Sequence, residues 1–446
     1  MRKIALRKVA LSIACVSLGL FFVFGIAASQ ESLLSRIAGV FTGSGNGATP
    51  GTHQHKGTIS LAISDQHVEI RTFCVDKKGR LLVASGGTQF AYQTSPDGSY
   101  GLEQVETPSS IHVFSPDGKE EAVWKIEVTP EALAVGPDNT VYAAGMGKIV
   151  HLSETGVVLK TVDSLHLEHL PPLPEIPGET ADTETAEQKA AKQKRLAEMQ
   201  TEQQEILKKY SEKYAELQKA QQQKDEDAVI KLSAEIETIL ETEYMPLMEE
   251  RQALTTSPRQ QAIAARNSLL QARSVKSIGV TDKHLFVCTP PARGYASEVW
   301  RLDKDFTNPK VIVRGLSGCC GQMNISAVGD KLVIPENGRF KVHVYDAEGN
   351  RLESWGDNEQ GNAKTGWGSC CNPMNVAFDA AGNVLTSEAS VGAIKRFTLD
   401  GTFIDQVAQS KIVPGCKHTP IGMSLDGSKA YILDITRRNI IVMEKP

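Results

Sequence analysis

The sequence has no Cys-x-x-Cys motif, no basic stripe, no second long apolar run and few aromatic residues, 6% of the chain. Each absence removes a class of function. Without Cys-x-x-Cys or Cys-x-x-Cys-His, neither an ordinary zinc ribbon nor covalent c-type haem attachment is indicated. Without a basic stripe interleaved with aromatics, and with a formal net charge of −5, no nucleic acid is expected as a partner. No Ser/His/Asp set, phosphate-cradling loop or metalloprotease helix occurs.

What is present begins with an address. Met1-Arg2-Lys3 and Arg7-Lys8 precede an uncharged apolar run from Val9 to Ala28. A basic flank before such a run is an export signal, and roughly 20 apolar residues are long enough to span a bilayer. Residues 1–29 are therefore expected to be a signal peptide or an N-terminal membrane anchor, with a small-residue cleavage site at Ala27-Ala28-Ser29. Cys15 reads as a small membrane-buried residue. Residues 30–56 read as a flexible tether around Thr42-Gly43-Ser44-Gly45-Asn46-Gly47, with His53 and His55 too mobile to form a site. The rest is expected to be extracytoplasmic, in the periplasm or cell envelope, and anchored there or secreted after cleavage. Of the eight cysteines, setting Cys15 aside leaves seven, an odd number for an oxidising compartment.

A repeated phrase fixes the architecture. Ser369-Cys370-Cys371-Asn372-Pro373-Met374-Asn375 echoes Gly318-Cys319-Cys320-Gly321-Gln322-Met323-Asn324, about 50 residues earlier. Each copy opens a strand–turn–strand unit. Similar units follow from hairpin turns such as Gly79-Arg80, Asp138-Asn139, Asp282-Lys283, Gly329-Asp330, Gly382-Asn383 and Gly427-Ser428. Four strands per unit and six units predict an all-β, six-bladed propeller. Blades 1 and 2 fall in residues 57–165 and blades 3 to 6 in residues 273–446. The sixth unit lacks a fourth strand, and Gly57 to Ile63 is the spare strand that would complete it.

The pattern resembles the NHL-repeat propellers, most clearly in Glu336-Asn337-Gly338-Arg339-Phe340-Lys341-Val342-His343-Val344-Tyr345. The resemblance covers about 300 residues and implies fold more than function. Lyases and lactonases among six-bladed propellers use channel histidines and carboxylates as ligands. This chain offers only His418 at the matching rim, with His67 aligned to Cys370, so the resemblance does not extend to that chemistry.

Residues 166–272 interrupt the repeat. Pro171, Pro172, Pro174 and Pro177 form a stiff exit, followed by a Glu/Lys/Gln/Ala-rich stretch. Leu196, Met199, Ile206, Tyr210, Tyr214 and Leu217 step by three and four, with Gln203 in one seam place. A second helix carries Val229, Leu232, Ile236, Ile239 and Leu240, is interrupted at Pro246, and is followed by a third after Ser257-Pro258. This reads as an antiparallel, coiled-coil-like helical hairpin, either packed on itself or serving as a docking arm for an envelope protein.

Aligning the inner strands places Cys319, Cys320, Cys370, Cys371, Cys416 and His418 around one rim. Thiolates and imidazole suit a metal ion or a redox centre; the thiols could otherwise form disulfides within or between blades, or stay free or link to a partner. Alternation along an extended segment would point one member of each Cys-Cys pair at the channel, with Cys320, Cys371 and His418 sharing one level. Glu336, Glu388 and Asp434 form a second column, matched by Thr289 and Ser85. They are expected either to face the channel or to anchor blade turns through hydrogen bonds and salt bridges. Asn324 and Asn375 read as loop caps, and Cys74 and Cys288 as small buried residues. The function expected is an envelope-anchored binding or assembly module, with metal or redox chemistry at the cysteine rim as the alternative. An enzymatic role is not indicated.

Overall fold

Tight turns set the strand spacing. At Asp379 the side chain accepts the backbone N–H groups of Ala381 (3.0 Å) and Asn383 (2.9 Å), and Gly382 takes φ +80°, which only glycine adopts without strain. Asp76 and Asp346 build the same turn in other blades. In the computed structural model, the residues described are 51–446 apart from 62, 64–67, 95–99, 178–184, 224, 292–295, 319–322, 359–365 and 368–370. The apolar run 9–28 lies outside them. Among the described residues no helix is long and apolar enough to cross a membrane.

The chain divides into two compact units, one holding residues 45–173 and 266–446 and the other residues 174–265. The first unit contains six four-stranded antiparallel sheets. Their first strands are Ile70–Val75, Ala132–Val135, Ser277–Val280, Ser326–Val328, Asn375–Phe378 and Ile421–Met423. Each first strand neighbours the next, and the sixth neighbours the first. That closed cycle is a six-bladed β-propeller. Apolar clusters fill the spaces between adjacent blades. Leu82, Ile111 and Val113 of blade 1 meet Val141, Val150 and Leu152 of blade 2, and Ile70, Phe73 and Leu81 meet Tyr431, Leu433 and Ile440 of blade 6. Each such aliphatic side chain contributes about 1.5–3 kcal/mol on burial.

The sixth sheet runs Gln54–Ser60, Asn439–Glu444, Lys429–Asp434, Ile421–Met423, so the strand preceding blade 1 pairs with the last strand of the chain. This covers an edge that would otherwise template pairing with another chain. It also corrects the expected tether. The sheet begins at Gln54, and His53 is buried with its ring bonded to Gly427 O (2.9 Å) and Thr52 Oγ1 (3.0 Å). Blade 1 differs from the others in a long hairpin, Leu81–Thr94 with Tyr100–Phe114, whose ladder runs from Leu81↔Phe114 to Thr94↔Tyr100.

The second unit is helical. A 37-residue helix, Ala186–Gln222, pairs with Glu226–Ile239. Their seam holds Tyr210, Leu217, Ala220 and Ile236, and a second cluster joins Met199, Ile206 and Leu247. Gln203 lies in the seam as expected, and its buried amide oxygen accepts Arg251 Nη1 (3.0 Å). The regular α-helix ends before Pro246, as expected, but the chain stays helical across it. A wide π-turn, Leu240–Tyr244, leads into the helix Met245–Thr255, so the proline sits in a first turn, where no N–H is needed. Ser257 and Gln260 form a reciprocal capping box that opens Pro258–Ala272, a helix divided between the two units.

Candidate functional site

The first strands of all six blades surround a cavity of about 540 Å³. Among the described residues three carboxylates line it, and all are committed to the fold. Asp76 accepts the Lys78 and Arg80 N–H groups and pairs with the Arg80 guanidinium (2.7 Å). Asp379 holds its own turn and meets Arg396 Nη1 at 3.2 Å. Glu131 accepts the N–H of Met146 (3.0 Å) and that of Val275 (2.8 Å), which enters the next blade. Burial raises the Glu131 pKa against these two bonds.

The Val275 contact shows what the start of each inner strand does. Asn324 Oδ1 accepts Val376 N–H (2.9 Å), and Asn375 Oδ1 accepts Thr419 N–H (3.1 Å). Glu131, Asn324 and Asn375 thus stitch blade 2 to 3, 4 to 5 and 5 to 6. Each satisfies a backbone donor at the blade junction, where an unpaired N–H costs about 1–3 kcal/mol. The repeated asparagines are inter-blade acceptors, and the expected loop caps are corrected accordingly. Blades 1 and 2 are joined differently, by Thr88 N–H donating to Thr129 Oγ1 (2.9 Å).

Two other positions on the cavity wall depart from the acceptor pattern. Lys276 stands where blade 3 would carry such an acceptor, and its Nζ donates to Ser297 Oγ (2.9 Å). Burial lowers its pKa. His418, in blade 6, accepts Asn375 Nδ2–H at Nδ1 (3.3 Å), and burial pulls its pKa down to about 4. It is therefore neutral at physiological pH. Glu131 and Lys276 escaped the sequence reading. Extending the Met-Asn column of blades 4 and 5 to the residues just before Ala132 and Ser277 would have found both.

The cysteine rim is only partly visible. Cys319, Cys320 and Cys370, together with His67, lie outside the described residues. Cys371 and Cys416 come together across blades 5 and 6, with sulfurs 3.0 Å apart. Cys371 is buried against Met374 and Ala389 and does not line the cavity, whereas His418 does. The shared level expected for these two is thus corrected. Cys371 has φ +66°, so its segment is not extended and side-chain alternation does not apply. Among the described residues no group of three His, Cys, Asp or Glu side chains could hold a metal ion. Cys288 is buried and its thiol is pushed up to about 12, while Cys74, also shifted upward by burial, is only partly covered by surface area.

The column of Glu336, Glu388 and Asp434 is buried and does not line the cavity. Glu336 accepts His343 Nε2 (2.8 Å) and Ser317 N–H (2.7 Å) and pairs with Arg339. Burial pushes its pKa up, but the His343 and Ser317 bonds win and hold it below the usual carboxylate range. Glu388 meets Lys395 Nζ at 2.7 Å, and that ammonium also donates to Gly366 O (2.8 Å) and lies over the Trp367 ring. Asp434 accepts Thr436 and Arg437 N–H groups. These residues anchor the ends of the second strands.

No family model matches the chain, and no curated protein matches it in sequence. Among solved structures it is similar to an inactive variant of virginiamycin B lyase from Staphylococcus aureus, at 10% identity and TM-score 0.38, covering 87% of this chain and 98% of that one. It is also similar to regucalcin, a calcium-binding protein from Agrobacterium tumefaciens, at 12% identity and TM-score 0.39, covering 89% and 97%. A gluconolactonase from Xanthomonas campestris gives 10% identity and TM-score 0.37, covering 88% and 98%. Similarity at this level carries no functional argument, and the propeller assignment rests on the strand order and the closed ring of inner strands.

Proposed function

We propose that the chain is an extracytoplasmic binding and assembly module, held at the cell envelope by residues 1–29, with the propeller and the helical unit as its two binding elements. One observation supports this above the others. Every carboxylate on the described cavity wall is bonded to backbone N–H groups, and the column of Glu336, Glu388 and Asp434 is spent in anchoring blades. The carboxylates that acid–base chemistry in the channel would draw on are thus already engaged, while ammonium, amide and imidazole groups face a cavity in the size range of ligand pockets. The NHL-type reading of blade 4 fits a binding propeller. The helical unit has its own apolar seam and a charged exterior, as an arm would need. Crosslinking in membrane extracts tests it, comparing the full chain with one lacking residues 183–271. The deletion is expected to abolish one specific crosslinked partner while the sheet unit still unfolds cooperatively. Unchanged crosslinking would remove the helical unit from the proposal.

The thiol pair supports a second, narrower reading. In an oxidising compartment, Cys371 and Cys416 form a cross-blade disulfide by exchange with a disulfide oxidant, which takes up the two electrons and two protons released. Peptide mapping of alkylated, non-reduced protein is expected to recover Cys371 linked to Cys416. Recovery of both as alkylated thiols, from protein exported to that compartment, would contradict it.

A further inference from the structure

The hydrogen bonds around Asn375 determine more than they first show. Thr419 N–H is a donor, so the atom facing it is the amide oxygen, and the amide nitrogen faces His418. An amide nitrogen donates, so His418 Nδ1 must be the unprotonated ring nitrogen. In the neutral ring the proton is therefore on Nε2, and no partner for Nε2 is found among the described residues. A backbone N–H of blade 6 thus fixes an amide of blade 5, which fixes a tautomer in blade 6. The product is an N–H donor on a residue that lines the cavity.

Lys276 lines the same cavity from blade 3. Its ammonium reaches Ser297 Oγ and has no carboxylate within ion-pair distance among the described residues. The nearby Cys288 thiol is held neutral by burial, and Glu131 is turned to the Met146 and Val275 N–H groups. A half-buried cation without a counter-charge is costly, and it is retained where something outside the fold supplies the charge. No arginine lines the described wall, so the fork that suits doubly charged phosphate is missing. The wall's other ammonium, Lys77, is exposed and donates to Pro137 O. Lys276 with neutral donors therefore matches a single negative charge, and Leu133, Ile278, Ile325 and Ile421 supply apolar wall.

We infer that the central channel binds a small organic monocarboxylate, with Lys276 as its counter-ion and His418 Nε2–H as a hydrogen-bond donor on the same wall. This rests on the reading of the propeller as a binding module and names a ligand class for it. Calorimetric titration of the full chain with benzoate, its neutral isostere benzamide and inorganic phosphate tests it. Benzoate is expected to bind at least about tenfold more tightly than benzamide. Lys276→Gln should reduce benzoate to the benzamide level, and Lys276→Arg should retain most of the difference. Benzoate binding no tighter than benzamide, or unaltered in Lys276→Gln, overturns the assignment. Phosphate binding more tightly than benzoate overturns the carboxylate class. A second measurement needs no substitution. With lysines carrying isotope-labelled methyl groups, benzoate should raise the titration midpoint of one lysine resonance, and no such change would also overturn it. Crosslinking unchanged by the deletion, with benzoate binding intact, would count against the assembly role alone, and a deletion-sensitive crosslink without benzoate binding against the carboxylate site alone.

Discussion

The propeller has two polar belts, and they spend their charge in opposite ways. At the ends of the second strands, Glu336, Glu388 and Asp434 are buried and each is bonded within its own blade or to that blade's flanking segment. At the start of the inner strands, Glu131, Asn324 and Asn375 reach across to the next blade, and Lys276 and His418 keep donors toward the cavity. The first belt builds blades, and the second joins them into a ring and leaves a remainder for a ligand. A polar residue in the interior is therefore not by itself a sign of a site. What distinguishes a site is hydrogen-bonding capacity that the fold has not used.

The contrast can be broken by substitution, and the largest effect is expected in the first belt. Lys395→Met leaves the Glu388 carboxylate buried without its ammonium, and unfolding in denaturant should show a loss of about 3–5 kcal/mol. A loss no greater than for an exposed lysine would mean that the pair lies in water. In the second belt, Asn324→Ala removes the acceptor of the Val376 N–H, with an expected loss of about 1–3 kcal/mol and unchanged benzoate affinity. If Asn324→Ala weakened benzoate as much as Lys276→Gln does, stitching and binding would not be separable.

The sequence made the first belt easier to see than the second. Hairpin turns and the repeated Cys-Cys phrase reveal six units, and the missing fourth strand of the last one points to closure by the segment before blade 1. The carboxylate column aligns because each member ends a recognisable second strand. Whether it faced the channel could not be read, since strand alternation says nothing about the bend at a strand's end, where Glu336 has ψ 79° and a 3-10 turn, Asn337–Arg339, follows. The inner-strand belt was hidden because its members differ chemically: a carboxylate, an ammonium, two amides and an imidazole stand at comparable places. Cys371 and His418 align in the repeat, yet only His418 lines the cavity, because Cys371 itself is left-handed and breaks the extended alternation. Pro246 marked the end of the regular helix, but not the π-turn that keeps the chain helical across it.

The most direct test of the second belt's division of labour is the thermal stability of Lys276→Gln without any ligand. Burial lowers the Lys276 pKa in the folded state, so at neutral pH the folded protein bears the cost of a charge that the unfolded chain solvates freely. Removing that charge while keeping a hydrogen-bonding end for Ser297 should raise the unfolding midpoint, even as benzoate binding falls to the benzamide level. A lowered midpoint, like that expected for Asn324→Ala, would show that Lys276 is one more stitch in the ring and that the channel holds no charge reserved for a ligand.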